Sequence, residues 1–515
     1  MKRKYIVGFV LVLSVFIISC GVQKSGNSEI KKDGVLNIGA IGSFKNSKEG
    51  GTLVFDTLTR IDHNYHALPS LIRSWTPNKN YTEYNLEIRD DVSFHDGTKL
   101  NSEIVKWNIE KGGVIYYASY SFVLESIDII DETHLKVKFS EPNLSFQSDL
   151  ALIPCIPING YTQEGKFATH VGTGAYRFEG TDSGGVTTLI RNEKYWDADF
   201  KTDVNKILWH VIPDEQTRKL ALESGKVDVI GLSEHYISMP YSVINELKKN
   251  NRFEIIRENE DSYTSVGSLV PNWKNGVCAD KNIRLALTSM FDRKTLVKNI
   301  FFGIPKACGH VYNPKFDDGP KNQKAFEYSE ENTKRYLENA GYIIGNANKP
   351  TVNAKGEPLK LKIICGDEEY EKDLLLYIAD VMKKWGIETI ATSLDVAQRM
   401  KTLAAGDYDI HIRHPWFVPL IGSIGYMGFS RDHSEYGIGL CINDEMFEAS
   451  SGYLKATTEE EAKNYAAKIW EIQYNNAVTI PLFADLRYII HNKKFKNFHF
   501  DGSVFKIDLN GVVYR

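Results

Sequence analysis

Strand-like and helix-like hydrophobic periods alternate along this 515-residue chain almost to its end, and a single core stops growing at roughly 250 to 300 residues. Together these facts restrict the fold to mixed α/β with more than one body. Residues 35–39 read as a short apolar strand, and residues 84–89 and 134–139 alternate inward and outward positions, with a turn at Glu141-Pro142-Asn143 after the second. Helical period appears over 282–298, where Ile283, Ala286, Leu287, Met290, Phe291, Leu296 and Val297 share one broad face, and again over 332–340 and 370–385. No internal repeat occurs. Turn residues at 271–276 suggest a break between two lobes, and 478–483 reads as a strand returning to the first. The expected organisation is a first lobe at 35–270, a second at 271–480 and a return at 481–515.

At the start, Lys2, Arg3 and Lys4 precede an apolar run over 5–18 that ends at Ser19-Cys20-Gly21. That run is short of the roughly 20 residues a spanning helix needs. The junction resembles a bacterial lipoprotein signal with its lipobox. The resemblance implies cleavage before Cys20, acylation of the Cys20 thiol and a palmitate anchor on the extracytoplasmic face of the cell membrane. Residues 1–19 are then the signal peptide, and 20–34, polar and poor in large side chains, a flexible tether.

The chain carries 62 basic and 66 acidic residues, and loss of the three basic ones in the signal takes the formal balance from −4 to −7. Without long Lys or Arg blocks, this charge argues against nucleic acid as a partner. Beyond Cys20, Cys155, Cys278, Cys308, Cys365 and Cys441 are odd in number and widely spaced, so they form no disulfide framework or C-x-x-C site; one bridge from Cys278 to Cys308 is compatible with an oxidising compartment. No G-x-S-x-G elbow, H-E-x-x-H helix, Walker A loop or dinucleotide fingerprint is present. Gly172-Thr173-Gly174 lacks the third glycine of a phosphate cradle and reads as a tight turn feeding a strand at 176–178. These features point away from an enzyme and from an intrinsic cofactor.

Ordered motifs span most of the chain: Ser74-Trp75-Thr76-Pro77; the run over 84–98 that ends Phe94-His95-Asp96-Gly97-Thr98; Val105-Lys106-Trp107-Asn108; Asn192-Glu193-Lys194-Tyr195-Trp196; 212–218 with 223–228; 282–287 with Asp292-Arg293-Lys294; and 336–342. This succession resembles the family 5 solute-binding proteins, the receptors of peptide and nickel ABC importers. The resemblance implies a two-lobed periplasmic-binding-protein-like α/β fold (type II) with a hinge, and a small subdomain inserted at about 67–186. It implies a ligand held between the lobes, ABC permease subunits as partners, and a monomer.

In that family the strand and loop at 407–434 line the cleft. Peptide-binding relatives place an acidic side chain near here to hold the peptide amine, but between Asp409 and Asp432 this chain has no Asp or Glu. His411, Arg413, His414 and Arg431 stand there instead, which suits a ligand carrying carboxylates. Nickel-binding relatives show a tryptophan in the equivalent segment and a downstream histidine on the metal of a small chelate, and Trp416 and His433 fall at those places. The expected site is therefore Arg413, His414, Trp416, Tyr426 and Arg431 around the ligand with His433 on the metal. Against nickel, the early-subdomain stretches at 114–120 and 151–157 hold no arginine. A nickel chelate and a di- or oligopeptide both remain open as the ligand.

Overall fold

The structure is a computed structural model that describes residues 34–43, 51–62, 66–115, 121, 123–163, 165–232, 240–261, 263, 265–315, 323–413, 442–500 and 507–515. Cys20 and the signal region lie outside the described residues. A first sheet opens with β1 (Val35–Ala40), whose buried Leu36, Ile38 and Ala40 face a core that includes Trp209. The chain then forms a separate four-stranded antiparallel sheet from β2 (Ile72–Pro77), β3 (Glu83–Ile88), β4 (Leu124–Ile129) and β5 (His134–Phe139), with α1 (Ser102–Ile115) between β3 and β4. Alternation explains these strands. In β3, Tyr84, Leu86 and Ile88 are buried while the residues between them are half-buried or exposed.

The chain returns to the first sheet with β6 (Tyr176–Thr181), β7 (Thr187–Arg191) and β8 (Lys206–Val211), then adds α2 (Glu215–Ser224), β9 (Val229–Ile230), α3 (Tyr241–Leu247) and β10 (Phe253–Arg257). A second sheet follows, built from β11 (Ser265–Pro271), α4 (Lys281–Met290), α5 (Arg293–Ile300), β12 (Lys306–Ala307), α6 (Glu330–Asn339), β13 (Lys360–Cys365), α7 (Glu369–Lys384), β14 (Glu388–Ser393), α8 (Val396–Ala405), β15 (Ile410–Arg413), α9 (Asp444–Leu454), α10 (Glu459–Asn476) and β16 (Ile480–Asp485). Finally β17 (Tyr488–Asn492) rejoins the first sheet. The strand orders are β10-β17-β9-β1-β8-β7-β6 in the first sheet, β12-β16-β11-β15-β13-β14 in the second and β2-β3-β5-β4 in the third.

Two expectations change, and one point the sequence left open is resolved. The stripe at 282–298 is two helices, because Phe291 turns extended and Asp292 caps a fresh start, its carboxylate accepting from the backbone N–H of Lys294 and Thr295. The strand at 480–485 stays in the second sheet, and the chain crosses back only at Leu486-Arg487; the outward crossing runs over 258–264, before the turn at 271–276. Cys278 and Cys308 are buried free thiols, so no bridge joins them.

Registry places both crossings at one kind of edge. In the first sheet Ile230 pairs with Ile490 and Arg257 with Tyr488, so the carboxyl ends of β1, β8 and β9 lie where the connectors depart. In the second, Ser265 pairs with Asp485 and Ser268 with Arg413, so the connectors meet the carboxyl ends of β13, β14 and β15.

Candidate functional site

In open α/β sheets ligands bind beyond the carboxyl ends of parallel strands, where successive connections leave to opposite faces. The second sheet has such a place. Ile363 and Ile364 point to opposite faces of β13, and α7 packs with Ile363 through Leu374 and Ile378 while α8 packs with Ile364 through Leu403 and Met400. The two helices therefore leave β13 and β14 on opposite sides and their first turns flank one crevice.

Charged groups from both helices meet there. Arg399 Nη1 of α8 lies 3.6 Å from Glu371 Oε2 of α7, the Gly366 N–H donates to the same oxygen, and Tyr370 OH donates to Oε1 at 3.3 Å. Burial pushes the Glu371 carboxyl up from its ordinary range, and the Arg399 charge opposes that rise. Ser393 Oγ donates to the Gly366 carbonyl at 2.8 Å, tying the ends of β14 and β13 together. A Cβ at position 366 would meet the carboxylate of Glu371 and the guanidinium of Arg399, so a side chain there would displace both from their present contact.

Arg413 ends β15 at the same edge. It is half-buried, desolvation and the neighbouring Arg399 charge both depress its pKa, and among the described residues no acceptor pairs with its guanidinium. Three buried arginines behave differently. Arg218 donates to the carbonyls of Ile212 and Pro213, Arg284 to those of Cys278, Ala279 and Asn476, and Arg293 to those of Pro481 and Thr288. Those three are spent on structure. Two residues earlier on the same face, His411 is 4% exposed, its Nε2 has no partner, and burial with the Arg413 and Arg399 charges lowers its pKa to about 3, so it stays neutral. Asp409, by contrast, accepts from the backbone N–H of Val277 and Lys362 and is structural.

Of the residues expected from the sequence, Arg413 alone lies among those described. His414, Trp416, Tyr426, Arg431 and His433 fall outside the described residues. Sequence reasoning missed Glu371 and Arg399, which share no short motif; their signal is position, each in the first turn of a helix that follows a parallel strand. Among the described residues no group of three His, Cys, Asp or Glu forms a metal cage, and no helix is long and apolar enough to cross a membrane.

The motif residues from the first part of the chain turn out to be scaffolding. Asp56 accepts from Thr173 Oγ1 at 3.0 Å, Tyr195 OH at 2.9 Å and Trp196 Nε1 at 2.7 Å, so donors from two separated motifs converge on one carboxylate. Asp228 likewise ties Asn37 of β1 and Asn492 of β17 to β9.

A family model described as "Bacterial extracellular solute-binding proteins, family 5 Middle" matches residues 67–429. The chain belongs to that family. It is a binding protein rather than an enzyme, and its fold is the two-lobed one of that group. Among curated relatives, the oligopeptide-binding protein AppA of Bacillus subtilis (strain 168) is 25% identical over 435 residues, covering 75% of this chain and 76% of AppA. The nickel-binding periplasmic protein of Escherichia coli (strain K12) is 21% identical over 419 residues, covering 77% of each. Among solved structures, NikA from Brucella suis in complex with Fe(III)-EDTA superposes with a TM-score of 0.83 at 19% identity, covering 93% of this chain and all of that one.

Proposed function

We propose that this solute-binding protein is the lipid-anchored receptor of an ABC importer, capturing nickel as a small carboxylate-bearing chelate between its lobes and delivering it to the permease. The observation that carries the reading is Arg413, a guanidinium brought to the crevice with no acceptor among the described residues, beside a second arginine already engaged by Glu371. An anionic ligand restores the charge balance that this arrangement lacks. The similarity to a nickel-binding relative agrees with it. In this reading Trp416 walls the cleft, His433 contacts the metal, and His414, Tyr426 and Arg431 complete the ligand contacts. Cys20 carries the acyl chains, the protein acts as a monomer, and the lobes divide at the two connectors, 258–264 and 486–487.

A peptide is the second reading, favoured by the match to an oligopeptide-binding relative. Arg413 then takes the peptide's carboxylate end. Calorimetry with Ni²⁺–histidine and with a tetrapeptide separates the two. For a nickel chelate, Arg413→Ala and His433→Ala each weaken binding by about 1 to 3 kcal/mol, the range for losing a strong polar partner in a desolvated site. Chelate binding also falls as pH drops through about 6.5, because imidazole must be neutral to coordinate. Peptide binding with no chelate binding reassigns the receptor to peptides.

A further inference from the structure

The inserted subdomain meets the second lobe at a place away from the connectors. Helices α9 and α10 lie in the chain between two strands of the second sheet and pack on each other through Met446, Ala449, Tyr453, Ala462 and Ile469. Leu144, which follows β5 of the four-stranded sheet, is part of that same buried cluster at 6% exposed, and the half-buried Tyr81 packs beside it. Tyr81 also packs on the subdomain's own core, its ring 6.4 Å from that of Tyr84. At the rim Lys455 Nζ, at the end of α9, lies 2.8 Å from Glu141 Oε1, with both side chains about half exposed.

The subdomain side of this contact is built in advance. The Asn143 N–H donates to the Tyr81 carbonyl at 2.9 Å, and buried Tyr84 OH donates to the Asn143 carbonyl at 2.7 Å, which pins the turn that presents Leu144. Tyr81 is held at φ +56°, in the left-handed region that a bulky residue occupies only when its surroundings over-determine it. The helix side supplies small residues, Ala449, Ala456 and Ala462, that leave room for an inserted side chain. One leucine and one tyrosine make a contact small enough to part.

We propose that Leu144 and Tyr81 form a closure latch: seated between α9 and α10 they hold the lobes together, and withdrawn they let the cleft open. The proposal rests on the two-lobe clamp reading and adds a second control point to it. A rim ion pair this exposed contributes little, so the apolar insertion is the part that holds. The latch sets the fraction of molecules already closed before solute arrives, and apparent affinity scales with that fraction.

The test measures distances without any ligand. In a Cys20→Ser, Cys441→Ser background, spin labels at Glu132→Cys and Asn464→Cys, both exposed, report the separation of subdomain and α10, while the four buried native thiols stay unlabelled. The parent gives a short-distance (closed) and a longer (open) population, Leu144→Asp enlarges the longer one at the expense of the shorter, and Leu144→Ala shifts a smaller share. Coincident distributions in parent and both variants overturn the latch. Should the Asp variant fail to fold, the Ala variant decides alone. Failure of the clamp reading has a different signature, unchanged scattering when the parent binds solute.

Discussion

Buried charge in this protein falls into two kinds, and the difference is readable residue by residue. Most buried ionic groups are saturated by backbone or by one another. The clearest pair is Glu258 with Arg487, 6% and 7% exposed, each standing in one of the two connectors between the sheets. Arg487 Nη2 donates to Glu258 Oε1 at 2.6 Å and Nε at 3.0 Å, its backbone N–H donates to Oε2, and the Glu258 N–H donates back to the Arg487 carbonyl. The guanidinium also lies 4.8 Å over the Phe500 ring. Taking away one partner strands a buried charge, which costs about 3 to 5 kcal/mol, whereas replacing both by apolar groups is far milder. Glu258→Ala is therefore expected to lower the denaturant midpoint steeply and Glu258→Leu with Arg487→Met to recover most of the loss, as followed by urea unfolding. Arg413 is the second kind, a cation without an acceptor among the described residues, and that is why it carries the functional reading.

Among the elements, the glycines of the 172–174 turn show how a motif serves packing rather than chemistry. Gly174 N–H donates to the Val54 carbonyl and Tyr176 N–H to that of Leu53, so this turn lies directly on the 53–54 backbone. A Cβ at Gly174 would stand 2.6 Å from the Val54 carbonyl carbon and 2.7 Å from Leu53 O, and backbone does not yield as a flexible side chain does. Gly174→Ala is expected to destabilise by about 1 to 3 kcal/mol, the usual penalty for overpacking, with a lowered melting temperature as the readout. The Asp56 hub, fed from Thr173, would be disturbed by the same shift. No phosphate chemistry enters.

For the whole molecule, the connectors at 258–264 and 486–487 are the short segments on which two large sheets can turn, and both leave from the edges where the parallel strands end. Tyr241 of α3 bridges near this point, its hydroxyl donating to Asp485 at 2.7 Å; burial pushes the Asp485 carboxyl up to about 7. A ligand touching both lobes favours the closed form by its differential affinity. Small-angle scattering is expected to give a smaller radius of gyration with bound Ni²⁺–histidine than without it. Equal radii at saturating ligand would argue against the clamp.

The class of fold and most of its elements were legible in the sequence, because alternation in β3 and β5 and the helical stripe of α7 are local patterns that local geometry obeys. Family membership was legible for the same reason: short motifs in fixed order survive reading in one dimension. What tertiary structure decided are the pairings between distant positions. β16 and β17 are both apolar and almost wholly buried, so nothing in their composition says that one belongs to the second sheet and the other to the first. Glu258 finds Arg487 across 229 positions, and Glu371 finds Arg399 only because α7 and α8 leave neighbouring strands on opposite faces. Periodicity tells which face of an element is buried, but which partner meets that face depends on topology, and topology is set by the packing of the entire chain.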